Sequence, residues 1–178
     1  LEHRLAEVEK RRRPSREGVD SLDARVGELL DAARTAVARF SSWFDETGRL
    51  RRRVAKRLAR LTARDNVRFD GMSRVAHVTD ATDWRVEYPF VVLTPDSESE
   101  VAALLSACFE LGLTVIPRGG GTGYTGGAVP LTTMSAILNT EKLEKLSAVE
   151  YGTLPGVAQD VATILSQAGV VTRRVTEA

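Results

Sequence analysis

The chain changes its hydrophobic rhythm once, near Asp65. Before that point apolar residues recur at helical spacing. Leu1, Leu5 and Val8 mark a first helix, followed by the basic run Lys10 to Arg13 and then Pro14, whose ring cannot continue the turn. Leu22, Val26, Leu29, Leu30, Ala33, Val37 and Phe40 line one stripe of a second helix, with Asp20 or Ser21 as its cap. After Trp43 and Phe44, Gly48 is expected to break the run. Leu50, Val54, Leu58 and Leu61 then mark a third amphipathic helix whose polar face is almost entirely Arg and Lys. Residues 1–65 therefore read as a basic helical extension.

From Val67 onward the period is different. The stretch to Phe90 holds an Asp70-Gly71 turn signal and scattered Val and aromatic residues, and reads as irregular structure with short strands. Phe90 to Leu93 is a compact apolar run ending at Thr94-Pro95. Ser97-x-x-Glu100 forms a capping box for a helix that carries Val101, Leu104, Leu105, Cys108 and Leu111 on one face and ends at Gly112. Leu113 to Ile116 is a second β-branched run. Strand, helix and strand in that order predict a crossover with the two strands parallel and side by side. Met134 to Leu138 and Val161 to Leu165 are further strands, and Thr172 to Ala178 starts another helix. The fold class is α+β, with residues 66–178 as the mixed part.

Composition narrows the picture. With 178 residues, 43% hydrophobic and 28% charged, the chain makes one ordinary domain with something left over, and has no room for a second of full size. One cysteine, Cys108, excludes an internal disulfide framework and a zinc site of paired thiolates. No window approaches the roughly 18 consecutive apolar residues that cross a bilayer, and no apolar signal core opens the chain, so a cytoplasmic location is expected. The net charge of +1 conceals a split: residues 1–65 hold 17 Lys or Arg against 11 Asp or Glu, residues 66–178 hold 8 against 13. The opening at Leu1 in place of Met, and the stop at Ala178 inside a helix-like run, read as a fragment of a longer protein.

The chemistry concentrates in PRGGGTGYTGGAVP, Pro117 to Pro130, where six glycines fall between Arg118 and Gly127. Glycines at that density let consecutive backbone N–H groups turn toward one concave face, and let a bulky anion approach where a Cβ would stand in the way. Arg118 adds a cation. Each hydrogen bond to an ionised phosphate contributes about 1.5–3 kcal/mol, so a few anchor a dinucleotide. A flexible linker would carry more Ser and would not follow a strand–helix–strand unit directly. Walker A fails, since Gly127 and Ala128 stand where Lys and Ser or Thr are required. Gly121, Gly123 and Gly126 match GxGxxG, but Ala128, Val129 and Pro130 lead into extended chain where that motif needs a helix. A kinase glycine loop fails for want of its partner segments.

With this loop on the page, the stretch from about Asp80 to Ala178 resembles the FAD-linked oxidoreductases whose flavin domain is of the vanillyl-alcohol oxidase and p-cresol methylhydroxylase type, closest to the glycolate oxidase and D-lactate dehydrogenase group. The likeness rests on Trp84-Arg85 to Pro89, on FVVLTPDSESEVAALLSACFELGLTVIPRGGGTGYTGGAVP, and on Ala168-Gly169-Val170 after a strand. It implies that Pro117, Arg118, Gly119, Gly120, Gly121, Thr122, Gly123, Tyr124, Thr125, Gly126 and Gly127 wrap the FAD pyrophosphate and ribityl region, and that the preceding strand–helix–strand is the first flavin subdomain. Members that hold FAD covalently use a His in this loop. Thr122 stands at that position, so the resemblance implies non-covalent FAD. It also implies a 2-hydroxy-acid dehydrogenase or oxidase, with a small-molecule substrate such as D-lactate or glycolate. The cap that binds substrate and the residues that abstract its proton have no counterpart here, so no catalytic residue is assigned and no metal site is expected. The other class is a non-catalytic remnant of a flavin domain whose basic helices serve as an interaction module.

The remaining candidates weigh toward packing. His3 and His77 have no partner at ligand spacing; His77 belongs either to the rim of the flavin site or to ordinary polar structure. Cys108 lies on an apolar stripe and reads as buried and unreactive. Trp84 and Tyr88 read as core or rim packing ahead of flavin stacking. The helix from Arg49 to Arg64 has the cations for an anionic membrane surface or nucleic acid, but no aromatic anchors. Docking against the acidic second part, or against the remainder of a longer chain, is favoured over both, and nucleic acid is not expected as a partner.

Overall fold

The computed structural model describes the backbone of residues 1–11 and 20–178, and side chains of residues 1–11 and 24–178. Contacts divide the chain into two compact units, Leu1–Arg53 and Val54–Ala178. The expected stop at Pro14 and the side-chain cap at Asp20 or Ser21 lie outside the described residues.

In the first unit, α1 (Glu2–Arg11) is tied to the beginning of α2 (Asp20–Leu58) by an ion pair between Glu9 and Arg34. Leu30 is buried on the α2 stripe, while Leu29, Phe40, Trp43 and Phe44 stay exposed. Phe40 meets the other two rings in tilted contacts, 5.7 Å from Trp43 and 6.3 Å from Phe44 between ring centroids. Gly48 does not break the run: α2 is one helix of 39 residues, which replaces the second and third helices expected from the sequence. A glycine inside a helix costs only about 1 kcal/mol relative to alanine. The Arg- and Lys-rich turns after Gly48 are good helix formers, and the helix ends by burying Val54 and Leu58.

The second unit begins with that buried turn. A 3-10 turn over Arg64–Asn66 leads to β1 (Val67–Arg68), and α3 (Gly71–Ala76) follows where only irregular structure was expected. The Asp70-Gly71 pair is a helix start: the Asp70 carboxylate accepts from Ser73 N at 2.8 Å and Ser73 Oγ at 2.8 Å, which satisfies an otherwise free N-terminal donor. A short Asp-Gly signal fits a hairpin or a cap, and the hydroxyl three residues on selects the cap.

β2 (Val91–Leu93), α4 (Glu98–Glu110) and β3 (Thr114–Arg118) form the expected strand–helix–strand unit, and Gly112 closes the helix at φ +73°. The capping box is only half formed. Ser97 occupies the cap position but its side chain accepts from no N–H of the helix, whereas Glu100 accepts from Asp96 N at 3.2 Å. The Ser97 hydroxyl instead meets Ser99 Oγ at 2.8 Å.

β2 and β3 are parallel but not neighbours. β4 (Ser135–Asn139) lies between them, giving the sheet order β1-β2-β4-β3 with only β1 antiparallel. The reason is burial: every residue of β4 is buried, and Val92, Ile137 and Ile116 meet across the three parallel strands as the centre of the core. A strand buried on both faces belongs in the middle of a sheet. β3 takes the edge, where Pro117, lacking an N–H, leaves no ladder bond unmade.

Beyond the sheet, β5 (Glu150–Gly152) and β6 (Val161–Thr163) form a small antiparallel pair. β6 stops at Thr163, short of the expected Leu165, and the chain is next held by a bridge between Leu146 and Ser166. The final helix, α5, covers Thr172–Thr176.

A polar knot locks the second unit. Asn66, 1% exposed, donates to Thr62 Oγ1 and to Asp96 Oδ2, both at 2.8 Å. Lys142 Nζ donates to Asn66 Oδ1 at 2.5 Å and to Asp96 Oδ1 at 2.7 Å. Replacing Lys142 by Met strips the buried Asn66 carbonyl of its donor. The expected loss is about 1–3 kcal/mol in urea denaturation. Gly48→Ala should act in the other direction, since its Cβ meets only the end of the Arg52 side chain at 3.7 Å. A gain of up to about 1 kcal/mol in the same measurement is expected.

Candidate functional site

The sheet order decides where the glycine loop lies. β3 and β4 are parallel neighbours, so the chain leaving the carboxyl end of β3 must travel back to the amino end of β4. It does so without a helix, and its first stretch, Gly119–Gly127, therefore stands at the carboxyl ends of β2, β4 and β3. In open parallel sheets this is the edge at which ligands bind.

Pro117 and Arg118 are the last two residues of β3, and Gly119, Gly120, Gly121, Thr122, Gly123, Tyr124, Thr125, Gly126 and Gly127 form the loop. Gly121 and Gly126 adopt φ of +67° and +73°. A Cβ at Gly121 would land on the Arg118 guanidinium, and one at Gly126 would come to 3.1 Å from the Trp84 ring. At Gly123 a Cβ would meet open space. Among the described residues, none of the backbone N–H groups from Gly119 to Gly127 donates to another group of the protein. Backbone donors in folded protein are nearly always satisfied by protein or by solvent. Here a run of them is left for solvent or for an anion.

The walls of the loop come from three places. Thr140, directly after β4, donates its N–H to Arg118 O at 2.9 Å, and its hydroxyl reaches Ala168 O at 3.1 Å. Gly169 donates to Leu143 O at 2.8 Å, and its Cα approaches so closely that a Cβ would fall on the Thr140 carbonyl oxygen. The Ala168-Gly169 pair is thereby pressed against the foot of the loop.

On the other side stands the stretch Thr79–Trp84. Arg118 Nη1 donates to Thr79 O at 2.6 Å. Burial pushes the Arg118 guanidinium below its ordinary value, and the nearby Asp80 charge opposes that shift. Asp80, 7% exposed, accepts from Thr82 Oγ1 at 2.5 Å and from Thr82 N at 2.9 Å, bonds that hold its carboxyl below the usual carboxylate range. Its second oxygen faces Ala128 N at 3.5 Å.

His77 sits behind the end of β4. Its Nδ1 lies 2.7 Å from Ser73 O, which makes that nitrogen the donor and leaves Nε2 to accept from Asn139 Nδ2 at 2.9 Å. Asn139 is the register partner of Arg118, so the imidazole braces the strand end beside the loop. Trp84 is exposed and lies on the rim over Gly126, and Tyr88 lines a surface cavity of about 400 Å³ with Val75, Val78 and Arg85. Cys108 is buried, and burial pushes its thiol up to about 11, which leaves it protonated at neutral pH. Among the described residues no group of His, Cys, Asp or Glu could hold a metal ion, and no helix is long and apolar enough to cross a membrane.

Thr79, Asp80, Asn139 and Thr140 are the participants that the sequence alone did not single out. No spacing rule links them to the glycine loop; only the sheet order does.

A family model described as an FAD binding domain matches residues 89–178, half of the chain. The chain belongs to that family. This FAD-binding domain is 47% identical over 57 residues to D-lactate dehydrogenase of Archaeoglobus fulgidus, a match spanning 32% of this chain and 13% of that protein. It is 30% identical over 104 residues to the mitochondrial D-2-hydroxyglutarate dehydrogenase of Arabidopsis thaliana, covering 52% of this chain and 18% of the relative. The chain thus spans less than a fifth of either relative in length. Its fold is similar to p-cresol methylhydroxylase with substrate bound, at a TM-score of 0.55 and 17% identity over 72% of this chain and 24% of that one. The fold is accordingly that of the p-cresol methylhydroxylase type.

Gly169→Ala tests the foot of the site. The new methyl meets backbone on both sides and cannot be relieved by a side-chain rotation. A loss of about 1–3 kcal/mol is expected in urea denaturation, whereas Gly123→Ala should leave the same transition unmoved.

Proposed function

We propose that this chain is the pyrophosphate-holding part of a flavin-linked oxidoreductase that oxidises a 2-hydroxy acid such as D-lactate or glycolate. The observation that carries the cofactor reading is the run of unbonded N–H groups from Gly119 to Gly127 at the carboxyl edge of the parallel strands. Those groups supply hydrogen bonds to the phosphates, and the absence of side chains at Gly119, Gly120 and Gly123 gives the anion room. FAD, when bound, supplies the acceptor for hydride removed from the substrate. Thr122 offers no side chain that attaches to flavin carbon, in keeping with non-covalent FAD. The relatives named above support the substrate class. A base and a carboxylate clamp for a hydroxy acid belong to further parts of a longer protein, against which the exposed face of Phe40, Trp43 and Phe44 is suited to dock.

The reading is tested by titrating the chain with FAD and following quenching of flavin fluorescence. Gly120→Ala and Gly120→Asp separate space from charge, because a Cβ at this glycine meets only the Thr122 methyl, at 3.7 Å. The alanine variant should bind FAD within about threefold of the parent, and the aspartate variant should bind at least about tenfold more weakly, corresponding to about 1.4 kcal/mol. Equal affinity in all three chains overturns the assignment of the loop to the phosphates.

A further inference from the structure

We infer that Thr79–Trp84, which precedes the part of the chain matched by the family model, is a clamp that sets the shape of the glycine loop, with Asp80 as its positioning residue. The inference rests on the proposed FAD reading for its ligand, but on separate residues for its geometry.

A loop whose own N–H groups make no protein bonds cannot hold itself in one conformation. Its restraint must come from its two ends and from whatever lies against it. At the start of the loop, Arg118 turns its guanidinium back beneath Gly121 and gives a hydrogen bond to the Thr79 carbonyl at 2.6 Å. At the end of the loop, the Asp80 carboxylate faces Ala128 N at 3.5 Å, and the Trp84 ring covers Gly126. One six-residue stretch therefore touches both ends. Thr82 fixes the carboxylate through its N–H and its hydroxyl, so Asp80 is itself held in a tight turn.

The charges fit the same role. Arg118 is partly buried and its guanidinium is held by the Thr79 carbonyl, while the nearby Asp80 charge favours the charged form of the guanidinium. Affinity for a phosphate then comes from the backbone donors, and Asp80 acts by keeping them pointed one way before the ligand arrives. Such preorganisation raises affinity by removing the ordering cost from the binding step.

The experiment compares the parent chain with Asp80→Ala, Asp80→Asn and Trp84→Ala. Two readouts are taken: FAD affinity by fluorescence titration, and the rate at which chymotrypsin cuts the ligand-free chain after Tyr124, an 82% exposed residue at the loop tip. Asp80→Ala should weaken FAD binding about tenfold and speed cleavage several-fold. Asp80→Asn keeps an acceptor for Thr82 and should recover part of both effects. Trp84→Ala, at an exposed ring, serves as the second probe should the alanine at residue 80 disturb folding, and should also speed cleavage. If Asp80→Ala and Trp84→Ala match the parent in both readouts, the clamp is wrong. A parent chain that binds no FAD would instead refute the proposed cofactor, and the cleavage rates alone would then decide the clamp.

Discussion

The insertion of β4 between β2 and β3 is the constraint on which the site depends. Because β4 runs parallel to β3, the connection between them cannot be a tight hairpin; it must leave one end of the sheet and re-enter at the other. In most parallel units a helix fills that return. Here the return is a glycine loop followed by Ala128, Val129 and Pro130, with Val129 and Pro130 buried. Burial of Ser135–Asn139 on both faces fixes β4 in the centre, and that placement puts Asn139 and Thr140 directly beside Arg118. The core and the position of the glycine loop are consequences of the same strand order.

Much of this was legible in the sequence and some was not, for identifiable reasons. The apolar runs Phe90 to Leu93 and Leu113 to Ile116 and the stripe from Val101 to Leu111 gave strand, helix and strand, because each is long enough to show its period. The sheet order was hidden. Periodicity reports which residues are buried and says nothing about which strand lies beside which, so Met134 to Leu138 was recognised as a strand without its place between the other two. Gly48 misled because propensity is a weak prior that neighbouring turns can overrule. Asp70-Gly71 misled because two residues carry too little information to separate a hairpin from a cap. The glycine loop stood out at once, whereas its supports, Thr79, Asp80 and Thr140, are ordinary polar residues whose significance is set only by contacts distant in sequence.

Hydrogen-bond demand separates the two polar regions of the second unit. Around Asn66 every donor and acceptor is matched: Lys142, Asp96 and Thr62 close the group, and no buried side-chain polar atom among the described residues lacks a partner. That arrangement fixes shape and offers nothing to a ligand. The glycine loop is the opposite case, with a run of donors and no internal acceptor. The distinction matters because both regions are polar: one closes its bonds within the protein and the other leaves its donors to solvent.

The long helix α2 shows the same logic for apolar surface. Its stripe is buried at Leu30 in the first unit and at Val54 and Leu58 in the second, while Phe40, Trp43 and Phe44 between them remain open. Reading Gly48 as a break separated these aromatics from the Arg-rich turns that follow, and so made the basic segment look like an isolated cationic helix without anchors. Of the cations from Arg49 to Arg60, Arg57 already bonds Glu110 at 3.1 Å, so part of the basic face is spent within the second unit. Within the first unit, Phe40, Trp43 and Phe44 leave aromatic surface in water, where each ring forgoes the free energy that burial would give.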